Sequence, residues 1–293
     1  MAHGPDTEEL MRRIANATTK LDVSGLSITS LPDLPAELQM LDCRATQMTS
    51  LPDLPAELQM LDCRATQITS LSALPVGLQT LYCHNTRITS LPDLPSGLTG
   101  LWCYNTPLTG LPDLPAGLKI IDCARTQITT LPTLPPGLQR LWCFHTPLTS
   151  LPNLPDTLLY LTCHDTQITT LPALPVGLRE VSCWNTSITT LPELPVGLKS
   201  LWCSNTSITT LPELPDTLEE LWCWDTPLIL HRIEGESIKD YNQRWNEWRS
   251  RKRSVERTKV LAEDLIAATW HPDRFEAWCL DEEEKKENEE MCD

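Results

Sequence analysis

The chain has 293 residues, with 39 acidic against 23 basic side chains and a formal net charge of −16. So acidic a surface repels phosphate and argues against a general nucleic-acid binder. It holds no run of 18 apolar residues to cross a bilayer, and its first residues, "MAHGPDTEELMRRIANATTK", lack the apolar core of a secretion signal, so a cytoplasmic location is expected.

Residues 1–20 read as an N-terminal helical cap. Asp6 or Thr7 is placed to cap a helix running to about Asn16, and Glu8 and Glu9 suit its positive end. Leu10 and Ile14, four residues apart, share a face and are expected to cover the first strand of the next region.

Residues 21–230 are a repeat. A half unit, "LDVSGLSITS", starts at Leu21. Ten units of twenty residues succeed it without insertion or deletion, the first at Leu31 and the last at Leu211. Their consensus is LPxLPxxLxxLxCxxTxITx, and Leu31–Gln47 is identical to Leu51–Gln67. A strict short period predicts a solenoid in which each unit packs on its neighbours. In the first full unit Leu41 and Cys43 alternate with Met40, Asp42 and Arg44, as a short strand requires. Leu41 and Cys43 are expected to point in, and the other three out onto a concave face. Thr46, and its equivalents through Thr226, should turn the chain and bond its backbone. The prolines of "LPDLPAEL" remove donors and bias the preceding leucines away from the helical region, so the return leg should be extended.

Ten of the twelve cysteines fall at one repeat position, Cys43 to Cys223. On parallel strands they would stand ~4.8 Å apart and point the same way. A disulfide needs Cβ atoms ~3.8 Å apart and turned toward each other, so the thiols are expected to stay reduced and buried. Zinc needs converging ligands, which a straight column does not offer. His84 and His164 each follow a cysteine, face the other side and are poor co-ligands. No metal and no cofactor is expected.

The pattern LxxLxCxxTxI resembles the leucine-rich repeat, with Cys in a Leu slot and Thr where Asn is usual. The LPxLPxxLxxL unit is similar to the short repeats of effectors secreted by enteric bacterial pathogens. That group includes the invasion-plasmid-antigen-H type ubiquitin ligases and their ligase-less relatives. The resemblance covers residues 21–230 and implies an α/β solenoid, mainly parallel β, with about eleven short strands and extended proline-rich convex legs. It implies an intracellular protein, in host cytoplasm if an effector or viral. The tail, "IAATWHPDRFEAWCLDEEEKK", resembles C-terminal segments of repeat proteins from giant viruses of amoebae.

Of 16 aromatic residues, ten precede residue 231. They are Tyr82, Trp102, Tyr104, Trp142, Phe144, Tyr160, Trp184, Trp202, Trp222 and Trp224, all in outward strand columns. One reading is cross-strand stacking that stiffens the sheet. The other, preferred, is a contact surface for a partner protein, because exposed Trp and Tyr anchor interfaces. A third has the tail folding over Trp222 and Trp224.

Residues 231–293 read as a C-terminal helical module with an acidic tail. Ile238, Tyr241, Trp245 and Trp248 recur at helical spacing, as do Leu261 and Leu265; "HPD" at His271–Asp273 ends a helix, and Phe275 and Trp278 come after it. "RSRKR" at Arg249–Arg253 fits a nuclear-import patch or, more simply, a solvated helix face. Cys279-Leu280-Asp281 matches the Cys-x-Asp of the ligase effectors, but the ligase domain is several times longer. "HPD" also occurs in Hsp70 co-chaperones, whose tyrosine-rich first helix is missing here. The expectation is a non-enzymatic, monomeric recognition scaffold that binds a protein partner and no nucleic acid, membrane or metal. The alternatives are an adaptor whose tail recruits ubiquitin or chaperone machinery, and a carbohydrate-binding module.

Overall fold

A computed structural model describes residues 5–228, 236–248, 250, 251 and 257. The chain divides into two compact units, Met1–His231 and Arg232–Asp293.

The first unit opens with helix α1 (Pro5–Asn16). It starts earlier than expected, so neither Asp6 nor Thr7 is its cap: proline at the first helical position lacks only a donor that would be unpaired anyway. Asp6 instead accepts a hydrogen bond from the Ser27 backbone N–H at 3.0 Å, and Arg13 Nη1 donates to the Asp22 carbonyl at 3.0 Å. Leu10 is buried and Ile14 half-buried. The helix thus covers the open end of the sheet with both apolar and polar contacts.

Eleven three-residue strands come next: β1 (Lys20–Asp22), β2 (Met40–Asp42), β3 (Met60–Asp62), β4 (Thr80–Tyr82), β5 (Gly100–Trp102), β6 (Ile120–Asp122), β7 (Arg140–Trp142), β8 (Tyr160–Thr162), β9 (Glu180–Ser182), β10 (Ser200–Trp202) and β11 (Glu220–Trp222). They form one parallel sheet in chain order. Each residue faces its equivalent twenty positions on: Leu41 lies between Leu21 and Leu61. Side chains of one repeat position therefore form continuous columns.

The core is built of such columns. Leu38, Leu41, Cys43 and Met48 are fully buried, and so are their equivalents through most of the array. The ten ladder cysteines are buried thiols that form no disulfide. Burial pushes the Cys83, Cys123 and Cys163 thiols up to about 12, which keeps them protonated at neutral pH. The threonine column closes each strand from within. Thr46 Oγ1 donates to the Cys43 carbonyl at 2.8 Å, and the same bond recurs in every unit to Thr226 and Cys223. On the return leg no helix forms. The second proline carbonyl accepts from the leucine three residues on, from Leu38 to Pro35 (3.1 Å) through Leu218 to Pro215 (3.0 Å), making one tight turn per unit.

The residue before each of these threonines adopts the left-handed conformation, from Ala45 (φ 55°) through Asp225 (φ 54°). In the half unit the same position is Gly25 (φ 73°). This bend carries the chain off the sheet after three strand residues.

In the second unit the described helix, α2, spans 238–248. Ser237 starts it: its Oγ accepts from the Asp240 N–H at 3.1 Å. Tyr241 and Trp245 are fully buried, with Tyr241–Trp245 and Trp245–Trp248 ring centroids 6.3 and 5.2 Å apart. Arg244 pairs with Glu236 at 2.7 Å. Leu261, Leu265, the His271–Asp273 segment and Cys279–Asp281 lie outside the described residues, as do most of Arg249–Arg253 and the tail expected over Trp222 and Trp224. Among the described residues no helix is long and apolar enough to cross a membrane.

Candidate functional site

The strand residues that flank the buried leucine, and the residue after the cysteine, face away from the core. They carry all ten aromatic side chains singled out by the sequence. In the central outward column Asp42, Asp62, Tyr82, Trp102, Asp122, Trp142, Thr162, Ser182, Trp202 and Trp222 succeed one another, one per strand. Beside it run Arg44, Arg64, His84, Tyr104, Ala124, Phe144, His164, Trp184, Ser204 and Trp224.

Neighbouring rings stack at the strand spacing. Tyr82 and Trp102 are 4.5 Å apart at 25°, and His84 and Tyr104 are 4.1 Å apart at 17°. Phe144, His164 and Trp184 form a run of three, with spacings of 4.6 and 4.2 Å. Arg140 lies over Tyr160 at 5.1 Å, and Arg64 over Tyr82 at 5.7 Å. The stacking reading therefore describes much of this face. Counting only Phe, Trp and Tyr missed the histidines that complete the runs. The signal was present: His84 and His164 occupy the same column as Tyr104, Phe144 and Trp184.

Stacking leaves other rings open. Trp222 and Trp224 are 58 % and 51 % exposed. With Trp184, Trp202, Ser204 and Asp225 they line a cleft of about 530 Å³. Here Ser204, a small residue, interrupts the ring column between Trp184 and Trp224. A second cleft, of about 400 Å³, lies over β4–β7, where Asp122 and Ala124 interrupt both ring columns. It is lined by Trp102, Tyr104, Trp142 and Phe144 on either side of Asp122, with Arg64, Tyr82 and His84 at one end.

Charge on this face is set by burial. Asp122 has its carboxyl pushed up to about 6 by burial, opposed by the hydrogen bond it accepts from the Ala124 N–H at 3.2 Å. His84 is buried and held neutral, its pKa brought down to about 4 by burial and then by the nearby Arg64 charge. Its Nδ1 has no hydrogen-bond partner among the described residues. The first two units instead neutralise themselves, with Arg44 Nε 3.4 Å from Asp42 and Arg64 Nε 3.5 Å from Asp62.

Along the rim runs a polar ladder at the left-handed position, which sequence reasoning did not identify. Asn105 donates to Asn85 at 2.6 Å and Asn205 to Asn185 at 2.7 Å, while Asn185 donates to Asp165. Asn and Asp at six of these ten positions were the available signal, because both tolerate positive φ. Asp165 also meets His164 Nδ1 at 2.7 Å and His145 Nε2 at 3.3 Å. Burial opposes ionisation of Asp165, but the hydrogen bonds from Asn185 and His164 outweigh it and lower its pKa. His145, His164 and Asp165 each offer one possible ligand atom, all within 4.8 Å of one another. His164 thus groups with a carboxylate and a second imidazole rather than with the cysteines. These hydrogen bonds give the cluster a structural role in the absence of any ion.

No protein-family model matches the sequence, and no curated protein matches it. Solved structures do. YopM from Yersinia enterocolitica is 32 % identical with a TM-score of 0.72, over 78 % of this chain and 49 % of that one. The chain thus spans about half the length of YopM. The functional domain of InlJ from Listeria monocytogenes, described as including a cysteine ladder, is 22 % identical with a TM-score of 0.53, over 76 % of this chain and 65 % of that one. A chain of the octameric complex of Latrophilin 3, Unc5D and FLRT2 is 16 % identical with a TM-score of 0.50, over 70 % of this chain and 90 % of that one. The last two show the fold alone. The parallel sheet in strict chain order, the buried leucine and cysteine columns and the similarity to YopM lead to one conclusion: the chain has the leucine-rich-repeat fold, built from a twenty-residue unit.

Proposed function

We propose that this chain is a non-enzymatic recognition scaffold that binds a partner protein, in the cytoplasm and as a monomer, through the aromatic face of its sheet. The observation that carries this reading is the cleft around Trp184, Trp202, Trp222 and Trp224, two of whose rings are more than half exposed. Stacking does not require rings in water, whereas interface anchors do. The fold supports the reading too: the FLRT2 leucine-rich repeat occurs in a complex with other proteins. The ladder of ten thiols without a disulfide suits a reducing compartment.

The test is the triple variant Trp202→Ala, Trp222→Ala, Trp224→Ala, used as full-length bait beside the parent. A buried interface tryptophan is worth ~2 kcal/mol or more, roughly thirtyfold in affinity. A protein captured by the parent should be lost by the variant, while the melting temperature stays within a few degrees. Leu141→Ala, which opens a cavity in the fully buried leucine column, should do the reverse, losing ~2–5 kcal/mol of stability. Undiminished capture by the triple variant overturns the reading.

A further inference from the structure

The cleft over β4–β7 lies where Asp122 and Ala124 interrupt both ring columns on the same strand. Observed stacks put adjacent rings 4.1–4.6 Å apart. Trp102 and Trp142 are two strands apart, a backbone spacing of about 10 Å, so one planar group fits between them. Trp102 gives one face to Tyr82 and so turns the other toward β6. Its indole also lies back over Gly100, where a Cβ would come within 2.5 Å of the ring; only glycine allows this pose. At the floor stands Asp122, with no ion-pair partner among the described residues.

The repeat itself supplies the comparison. Units one and two read Asp-Cys-Arg, and each arginine turns back onto its aspartate. Arg64 in addition lies over the Tyr82 ring. The unit that contains β6 reads Asp122-Cys123-Ala124-Arg125: the arginine has moved one place, to the exposed left-handed position, and alanine stands in its slot. The aspartate and the rings remain, but the cation is missing.

Resting on the reading of this face as a protein-binding surface, we infer that the Trp102–Asp122–Trp142 cleft receives an arginine side chain of a basic partner segment. The guanidinium is planar, stacks on aromatic faces and pairs with a carboxylate. The chain's net charge of −16 favours a basic partner and disfavours the flat bases of a nucleic acid. A cation would also supply a counter-charge for half-buried Asp122, whose carboxyl, held near 6, is ionised at neutral pH.

The experiment titrates the full-length protein with acetyl-Gly-Arg-Gly-amide, and with its citrulline and lysine counterparts, following the tryptophan indole N–H resonances. Arginine should bind at least tenfold more tightly than citrulline, which has nearly the same shape without the charge, and more tightly than lysine. Asp122→Asn should weaken the arginine peptide about tenfold and abolish its advantage over citrulline. Ala124→Arg, which copies units one and two, should fill the slot and block binding. Equal binding of arginine and citrulline, equal binding of uridine, or an unaffected Asp122→Asn variant overturns the inference. The triple tryptophan variant of the other cleft should still bind the arginine peptide. Failure of that variant to lose its protein partner therefore counts against the general reading, and failure of the peptide series against this subsite.

Discussion

Two titratable groups on the sheet face are held away from their ordinary protonation behaviour by burial, and they act on stability in opposite directions. His84 has a pKa of about 4 in the fold against 6.5 ordinarily. As pH falls, the unfolded chain takes up this proton first, so stability is lost between pH 6.5 and 4. Asp122 has a pKa of about 6 in the fold against 3.8 ordinarily. Here the folded chain holds the proton longer, so stability falls as pH rises from 4 to 6, and the loss is complete above that. Around Asp122 lie the Tyr104 phenol and the thiols of Cys103, Cys123 and Cys143, all shifted up and silent in this window. His84→Phe keeps a ring beside Tyr104 and should raise stability near pH 5, on the order of 2 kcal/mol, with little change at pH 7.5. Asp122→Asn should raise the melting temperature at pH 7.5 and change little at pH 4. Thermal unfolding of both variants at three pH values checks this crossed pattern, and parallel shifts at every pH would refute it. Neither perturbation was legible in the sequence. Alternation put His84 on the face opposite the cysteines, but alternation does not say how far neighbouring rings cover an outward side chain, as Tyr104 covers His84.

At the scale of the single unit, legibility divided along the same line. The period, the inward pair Leu41 and Cys43, the threonine turn and the absence of a return helix were all readable, because each comes from alternation, proline chemistry or a repeated residue type. The left-handed bend before the threonine was not recognised, since Ala45, Ala65, Arg125 and His145 hide it among the asparagines. Cβ crowding makes this conformation cost an ordinary residue ~1–2 kcal/mol, while asparagine and glycine take it more easily. Ala45→Gly, which restores what the half unit already has at Gly25, should stabilise the protein by up to ~1 kcal/mol. Asn105→Val should cost ~1–3 kcal/mol, because a β-branched residue is a poor fit at φ 51° and the bond to Asn85 is lost. Urea unfolding midpoints of the two variants should move in opposite directions. If Ala45→Gly destabilises, the entropy of the unfolded chain outweighs the relief of backbone strain, and the bend is not the weak point of the unit.

For the whole solenoid, the identity of two units makes a deletion interpretable. Removing residues 51–70 joins 31–50 directly to Leu71. The new interface has the same side chains as the old one, save for Met48 where Ile68 stood. One unit and one interface are lost, and the only new contact is that of Met48, so the sheet should shorten by one strand and still fold. The denaturant m-value should fall by about a tenth, in proportion to surface buried. Removing residues 111–130 is equally in register but has a different consequence. It sets β5 beside β7, bringing Trp102 against Trp142 and Tyr104 against Phe144. The gap left by Asp122 and Ala124 closes, and the rings form one unbroken stack. This deletion should therefore fold at least as well as the first, while losing the arginine peptide that the first still binds. Circular dichroism, the m-value and the peptide titration on both deletions give the answer. Retained arginine binding after loss of 111–130 would place the site elsewhere on the face, and failure of both deletions to fold would mean that the units are coupled beyond their nearest neighbours.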